Sequence, residues 1–81
     1  FYDTMLPHLL ALHEIDRVVL TGQVTEQCVL ATAQDAYVRT IDVCVPCDAV
    51  AGIHADLHEP ALAILERTMH AETRPASEVR F

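Results

Sequence analysis

These 81 residues predict an α/β fold, a parallel sheet flanked by helices. Three features carry that expectation. Apolar segments of strand length alternate with segments of helical period, the order of parallel strands joined by helical crossovers. The run Val18-Val19-Leu20 is continuous rather than alternating, which suits a strand buried on both faces. Gly22 and a few polar residues then separate that run from the next helical segment, a strand–turn–helix unit.

Taken in order, residues 3–14 read as a helix. Asp3 or Thr4 is the cap, Pro7 lies in the first turn, and Leu6, Leu9, Leu10 and Leu12 form an apolar face. His8 and His13 are not spaced to share a face and read as surface residues. Residues 15–21 read as the first strand, ended by Gly22, with the turn at residues 23–25. A helix over residues 26–39 follows, with Thr25 as N-cap and Val29, Ala33, Ala36 and Tyr37 on one stripe. Asp35, in its middle, reads as a surface or hydrogen-bonded residue. Residues 41–46 read as the second strand, Ile41, Val43 and Val45 alternating against Asp42 and Cys44, and Pro46 ends it because it has no N–H to donate. A loop over residues 47–52 leads into a helix over residues 54–69. Its apolar stripe is Leu57, Ala61, Leu62, Ile64 and Leu65, and Pro60 is awkward inside it unless the regular helix starts late. The tail, residues 71–81, is expected to hold a short strand near Thr73 and a turn begun at Pro75 and Ser77.

Composition excludes several functions. A formal charge of −7, with twelve acidic residues against five arginines and no lysine, has the wrong sign for neutralising phosphates, so no nucleic-acid partner is expected. No apolar run reaches the ~20 residues of a membrane span, and no signal-peptide pattern opens the chain. The three cysteines lack disulfide-framework spacing and point to a reducing, cytoplasmic setting. A hydrophobic content of 52% supports a small core, and the chain reads as a piece of a longer protein rather than a free-standing mini-domain.

Cys28 is the candidate nucleophile. It falls about one turn inside the helix that follows Gly22, where unpaired backbone N–H groups and the positive end of the helix dipole favour an anionic nucleophile. Two other thiols form Cys44-Val45-Pro46-Cys47, which has the spacing of a redox pair. Cys44 falls within a strand pattern and no helix signal follows Cys47, so Cys44 reads as a core thiol, and a zinc site would want a second pair. His54 and His58 share a helix face without a matched carboxylate or thiol and read as surface residues.

The stretch around Cys28 resembles the isochorismatase-like cysteine hydrolases, a superfamily that includes nicotinamidases. Thr21, Gly22, Thr25, Cys28, Val29, Thr32, Ala33, Asp35 and Ala36 match its pattern, and weaker similarity runs through Phe1, Thr4 and Leu6 and through Asp48-Ala49 and Ala61-Leu62. The resemblance implies a Rossmann-like fold of which residues 1–81 are the C-terminal part of a single domain. It also implies hydrolysis of a small amide through a thioester on Cys28, with the backbone N–H groups of Val24 and Cys28 as the oxyanion hole and a cis Gln23–Val24 peptide. The family takes a general-base Asp, a Lys and, in some members, a metal from its N-terminal half, and its substrate site includes loops of neighbouring subunits. This chain therefore needs an upstream segment supplying Asp and Lys, is expected to form a homo-oligomer, and is expected to hold no cofactor and no metal itself. The rival functions are a thiol redox protein using Cys44 and Cys47, and a non-catalytic packing or assembly module.

Overall fold

A computed structural model describes residues 1–80. In chain order the elements are α1 (Leu6–Leu12), β1 (Arg17–Val19), β2 (Gly22–Gln23), a π-helical turn (Thr25–Val29), α2 (Leu30–Val38), β3 (Asp42–Cys44), β4 (Val50–Ala51), α3 (Ala55–Met69) and a 3-10 turn (Ala76–Glu78). The strands pair in two parallel ladders, β1 with β3 and β2 with β4. In the first, Val18 lies opposite Val43 and Val19 opposite Cys44. The α/β architecture with parallel strands is thus the one the sequence predicts. Among the described residues no helix is long and apolar enough to cross a membrane.

The core lies between the β1–β3 ladder and the helices α2 and α3. Val29, Ala33 and Ala36 from the second helical segment meet Val43 and Val45 from the sheet side and Leu62, Leu65 and Met69 from α3. Ala33 and Ala36 are fully buried, because only small side chains let a helix lie this close to its neighbours. Leu65 is also fully buried, and removing a leucine of that kind from water contributes ~2 kcal/mol. α1 differs: it buries no residue, and Leu6, Leu9 and Leu12 of the predicted apolar face are exposed.

Several boundaries differ from the sequence reading, each for a backbone reason. α1 is shorter than residues 3–14 because Asp3 and Glu14 are left-handed, at φ 54° and 55°, and so lie outside the helix. Neither Asp3 nor Thr4 is its N-cap: Met5 holds that position without a side-chain cap, and the Thr4 hydroxyl oxygen, one residue earlier, accepts the Leu6 N–H at 3.3 Å. Ile15 belongs to the end of α1, donating its N–H back to the Leu10 carbonyl at 2.9 Å, so β1 starts later than residue 15. The same device ends the other two helices. Thr40 and His70 are left-handed, and Ile41 and Ala71 donate back to Ala36 and Leu65.

Cys44 is buried as fully as Val45, so β3 is covered on both faces instead of alternating. The cover on its free edge is the chain at Glu72, which bridges Cys44 in parallel: Glu72 donates to Val43 at 3.0 Å and Val45 donates to Glu72 at 2.7 Å. This is the short strand expected near Thr73, reduced to one bridge. α3 runs through Pro60 without a late start, leaving the Asp56 carbonyl without that residue's N–H.

Candidate active site

The site is built where the chain leaves one ladder and joins the other. Leu20 still donates to Cys44 at 2.8 Å as an extension of β1. Gly22 then adopts φ +102°, a conformation that side-chain-bearing residues rarely take, and its N–H donates to Ala49 at 2.9 Å, the start of the β2–β4 ladder. Residues predicted as turn and loop thus pair as β2 and β4. The Gln23–Val24 peptide is cis.

Beyond it the Val24 carbonyl accepts two N–H groups, from Gln27 at 3.1 Å and from Val29 at 3.0 Å. The second bond spans five residues, so the turn is wide and π-like, a geometry found often at functional sites. Its alternation of environment is sharp: Thr25 and Val29 are buried, whereas Cys28 is exposed. The Cys28 side chain borders an open depression of about 320 Å³ lined also by Val19, Leu20, Thr21, Gln23 and Thr32. That depression lies past the carboxyl end of β1, where ligands bind in open α/β sheets.

Two side chains tie this turn to α3. Thr25 does not cap α2, since Val24 is the residue preceding the helical turn; its buried hydroxyl instead meets Nδ1 of His58 at 3.0 Å. Glu26 reaches farther. Its Oε2 accepts the N–H of His54 at 2.7 Å and of Ile53 at 3.1 Å. His54 supplies no side-chain cap of its own to α3, so Glu26 caps that helix from across the molecule. The His54 N–H and the other backbone donors around it hold the Glu26 carboxyl's pKa below the ordinary carboxylate value, against the opposing effect of partial burial. Both contacts escaped sequence reasoning, which placed His58 on the surface and gave Glu26 no partner. They join residues 27, 28 and 33 positions apart, and no local signal marks such pairs.

The remaining candidates lie elsewhere. Cys44 is buried in β3; burial pushes its thiol up, the Glu72 carboxylate adds to that, and Arg17 opposes it. Cys47 is half-buried, and the element after it is β4 rather than a helix. Asp35 sits on α2 beside Arg39, 3.6 Å from its guanidinium. His8, His13 and His54 are exposed, and among the described residues no three His, Cys, Asp or Glu side chains cluster closely enough to hold a metal.

The sequence profile of the Isochorismatase domain matches residues 1–76. An uncharacterized isochorismatase family protein of Bacillus subtilis (strain 168), YaaI, is 33% identical over 79 residues, which is 98% of this chain and 44% of that protein. Among solved structures, a nicotinamidase of Staphylococcus aureus is 37% identical with a TM-score of 0.88, over 90% of this chain and 47% of its own. The N-carbamoylsarcosine amidase of Thermoplasma acidophilum is 33% identical with a TM-score of 0.86, over 100% of this chain and 45% of its own. The chain thus spans less than half the length of these relatives. On its sequence and its fold alike, the chain belongs to the isochorismatase family.

Proposed function

We propose that this chain is the C-terminal, nucleophile-bearing part of a single isochorismatase-like hydrolase domain that cleaves the C–N bond of a small amide. The observation that carries the reading is the exposure of Cys28 on a wide turn past the carboxyl end of β1, in a chain similar to a nicotinamidase and an N-carbamoylsarcosine amidase. In the proposed reaction the Cys28 sulfur attacks the amide carbonyl carbon, forming a C–S bond and a tetrahedral oxyanion. Backbone N–H groups of Val24 and Cys28 stabilise that oxyanion. Collapse expels ammonia or an amine, which takes up a proton, and leaves a thioester. Water then cleaves the thioester to a carboxylic acid and the free thiol.

Proton transfer in both halves needs a base, and a cation beside the thiol favours its anion. No lysine occurs in the chain, so we assign these roles to an Asp and a Lys from an upstream segment. Three free cysteines fit a reducing, cytoplasmic setting, and the exposed leucines of α1 fit burial against further polypeptide, within the domain or in a homo-oligomer. Ammonia release from nicotinamide by the full-length protein tests the reading. Cys28→Ser is expected to lower turnover by at least about a thousandfold with the fold intact. Turnover that survives this change, or that is lost with Cys47→Ala instead, would overturn it.

A further inference from the structure

We propose that Glu26 is a positioning residue: its carboxylate, seated on the start of α3, holds the Val24–Cys28 turn in its wide form and so keeps the oxyanion-stabilising N–H groups aimed. The inference rests on the function proposed above and adds a role for a residue that touches neither the thiol nor the depression beside it.

The geometry carries it. Glu26 lies inside the turn, between Val24 and Cys28, and its Oε2 is fixed by the N–H groups of His54, the N-cap of α3, and of Ile53 just before it, at 2.7 and 3.1 Å. The N-cap N–H of a long helix has no acceptor within the helix, and a carboxylate placed there also meets the positive end of the helix dipole, so Glu26 is held by charge as well as by hydrogen bonds. Its second oxygen, Oε1, is buried with no hydrogen-bond partner among the described residues, packed against Gly52. A Cβ at Gly52 would stand 2.6 Å from that oxygen, so glycine at this position is what gives the carboxylate room. The neighbouring Thr25–His58 contact at 3.0 Å fastens the adjacent residue to the same helix. Two consecutive residues of the turn are therefore anchored on α3, while Cys28 stays exposed at its free side. The lowered pKa of the Glu26 carboxyl agrees with an anion held by these donors.

The test uses the full-length protein with Glu26→Gln, Glu26→Asp and Gly52→Ala, the last disturbing the same contact from the opposite side. Hydrogen exchange of residues 22–29 reads the turn directly, and about tenfold faster exchange confined to it is expected, with α2 unchanged. Turnover of nicotinamide is expected to fall about ten- to a hundredfold in kcat, with KM within about twofold. Alkylation of Cys28 by iodoacetamide attacks a saturated carbon and forms no oxyanion, so its rate should stay within about twofold of the wild type. That split separates a misaimed oxyanion site from a damaged thiol or a damaged fold. Unchanged exchange in all three variants overturns the proposal, as does faster exchange with unchanged kcat, or alkylation that falls in step with kcat. Cys28→Ser is run alongside: turnover that survives it removes the catalytic reading, while the exchange result still decides whether Glu26 holds the turn.

Discussion

The turn around Cys28 and the strand around Cys44 hold the same functional group in opposite settings. Cys28 is exposed on a turn whose backbone is wide and whose neighbours Thr25 and Glu26 are anchored on α3. Cys44 is fully buried in β3, paired on one side with Val19 and bridged on the other by Glu72. Only the first setting leaves the sulfur exposed. The second makes the thiol a small core side chain whose ionisation burial opposes. The lesson is that thiol exposure here is decided by the element carrying the cysteine, and the C-x-x-C spacing of Cys44 and Cys47 does not override it.

The contrast is open to direct attack. The largest expected effect is that of Cys28→Ser, at least about a thousandfold in turnover, which corresponds to ~4 kcal/mol of transition-state stabilisation, with a melting temperature close to the wild type. Next is Cys44→Ala, which removes a buried sulfur from a covered face of the sheet and is expected to cost ~1–2 kcal/mol in denaturant unfolding while turnover stays within about threefold. If Cys44→Ala were well folded but inactive, the two regions would have been assigned the wrong way round.

Alkaline titration sharpens the contrast. A thiol whose acidity is weakened by folding contributes stability that is complete below its unfolded pKa and is lost as pH rises through the folded value. The wild type should therefore lose stability relative to Cys44→Ala as pH rises above the ordinary thiol value of 9.0, at most ~1.4 kcal/mol per pH unit for one group. A difference that is flat with pH would mean that Cys44 does not feel its burial. The smallest effect is expected for Cys47→Ala, roughly 0.5 kcal/mol or less in unfolding with most turnover kept, because the residue is only half-buried beside the core.

Much of this was legible in the sequence because it is local. The run Val18-Val19-Leu20, the stripe of Val29, Ala33 and Ala36, and the Gly22 turn are each set by neighbours along the chain, and their order is that of parallel strands with helices between. What was not legible arises between distant segments. Thr25 has the residue type and position of an N-cap, yet it is drawn into the contact with His58 once α3 packs against the turn. Glu26 resembles any acidic first-turn residue until the start of α3 arrives to meet it. The ends of α2 and α3 fall within one residue of those read from the sequence, whereas the left-handed Asp3 and Glu14, which are not glycines, carried no signal that α1 is confined to Leu6–Leu12. β3 looked one-sided because its residue types alternate, but Glu72 pairs along its free edge and both Val43 and Cys44 are buried, with only Asp42 exposed.

The central claim is that Cys28, and no other thiol, carries the chemistry. Treating the full-length protein with one equivalent of iodoacetamide at neutral pH, mapping the modified peptide and measuring residual ammonia release from nicotinamide tests that claim most directly. The account predicts that the label sits on Cys28 and that turnover falls in proportion to its occupancy, with Cys44 unmodified until the protein unfolds. Label placed first on Cys44 or Cys47, or turnover that persists when Cys28 is fully modified, would contradict it.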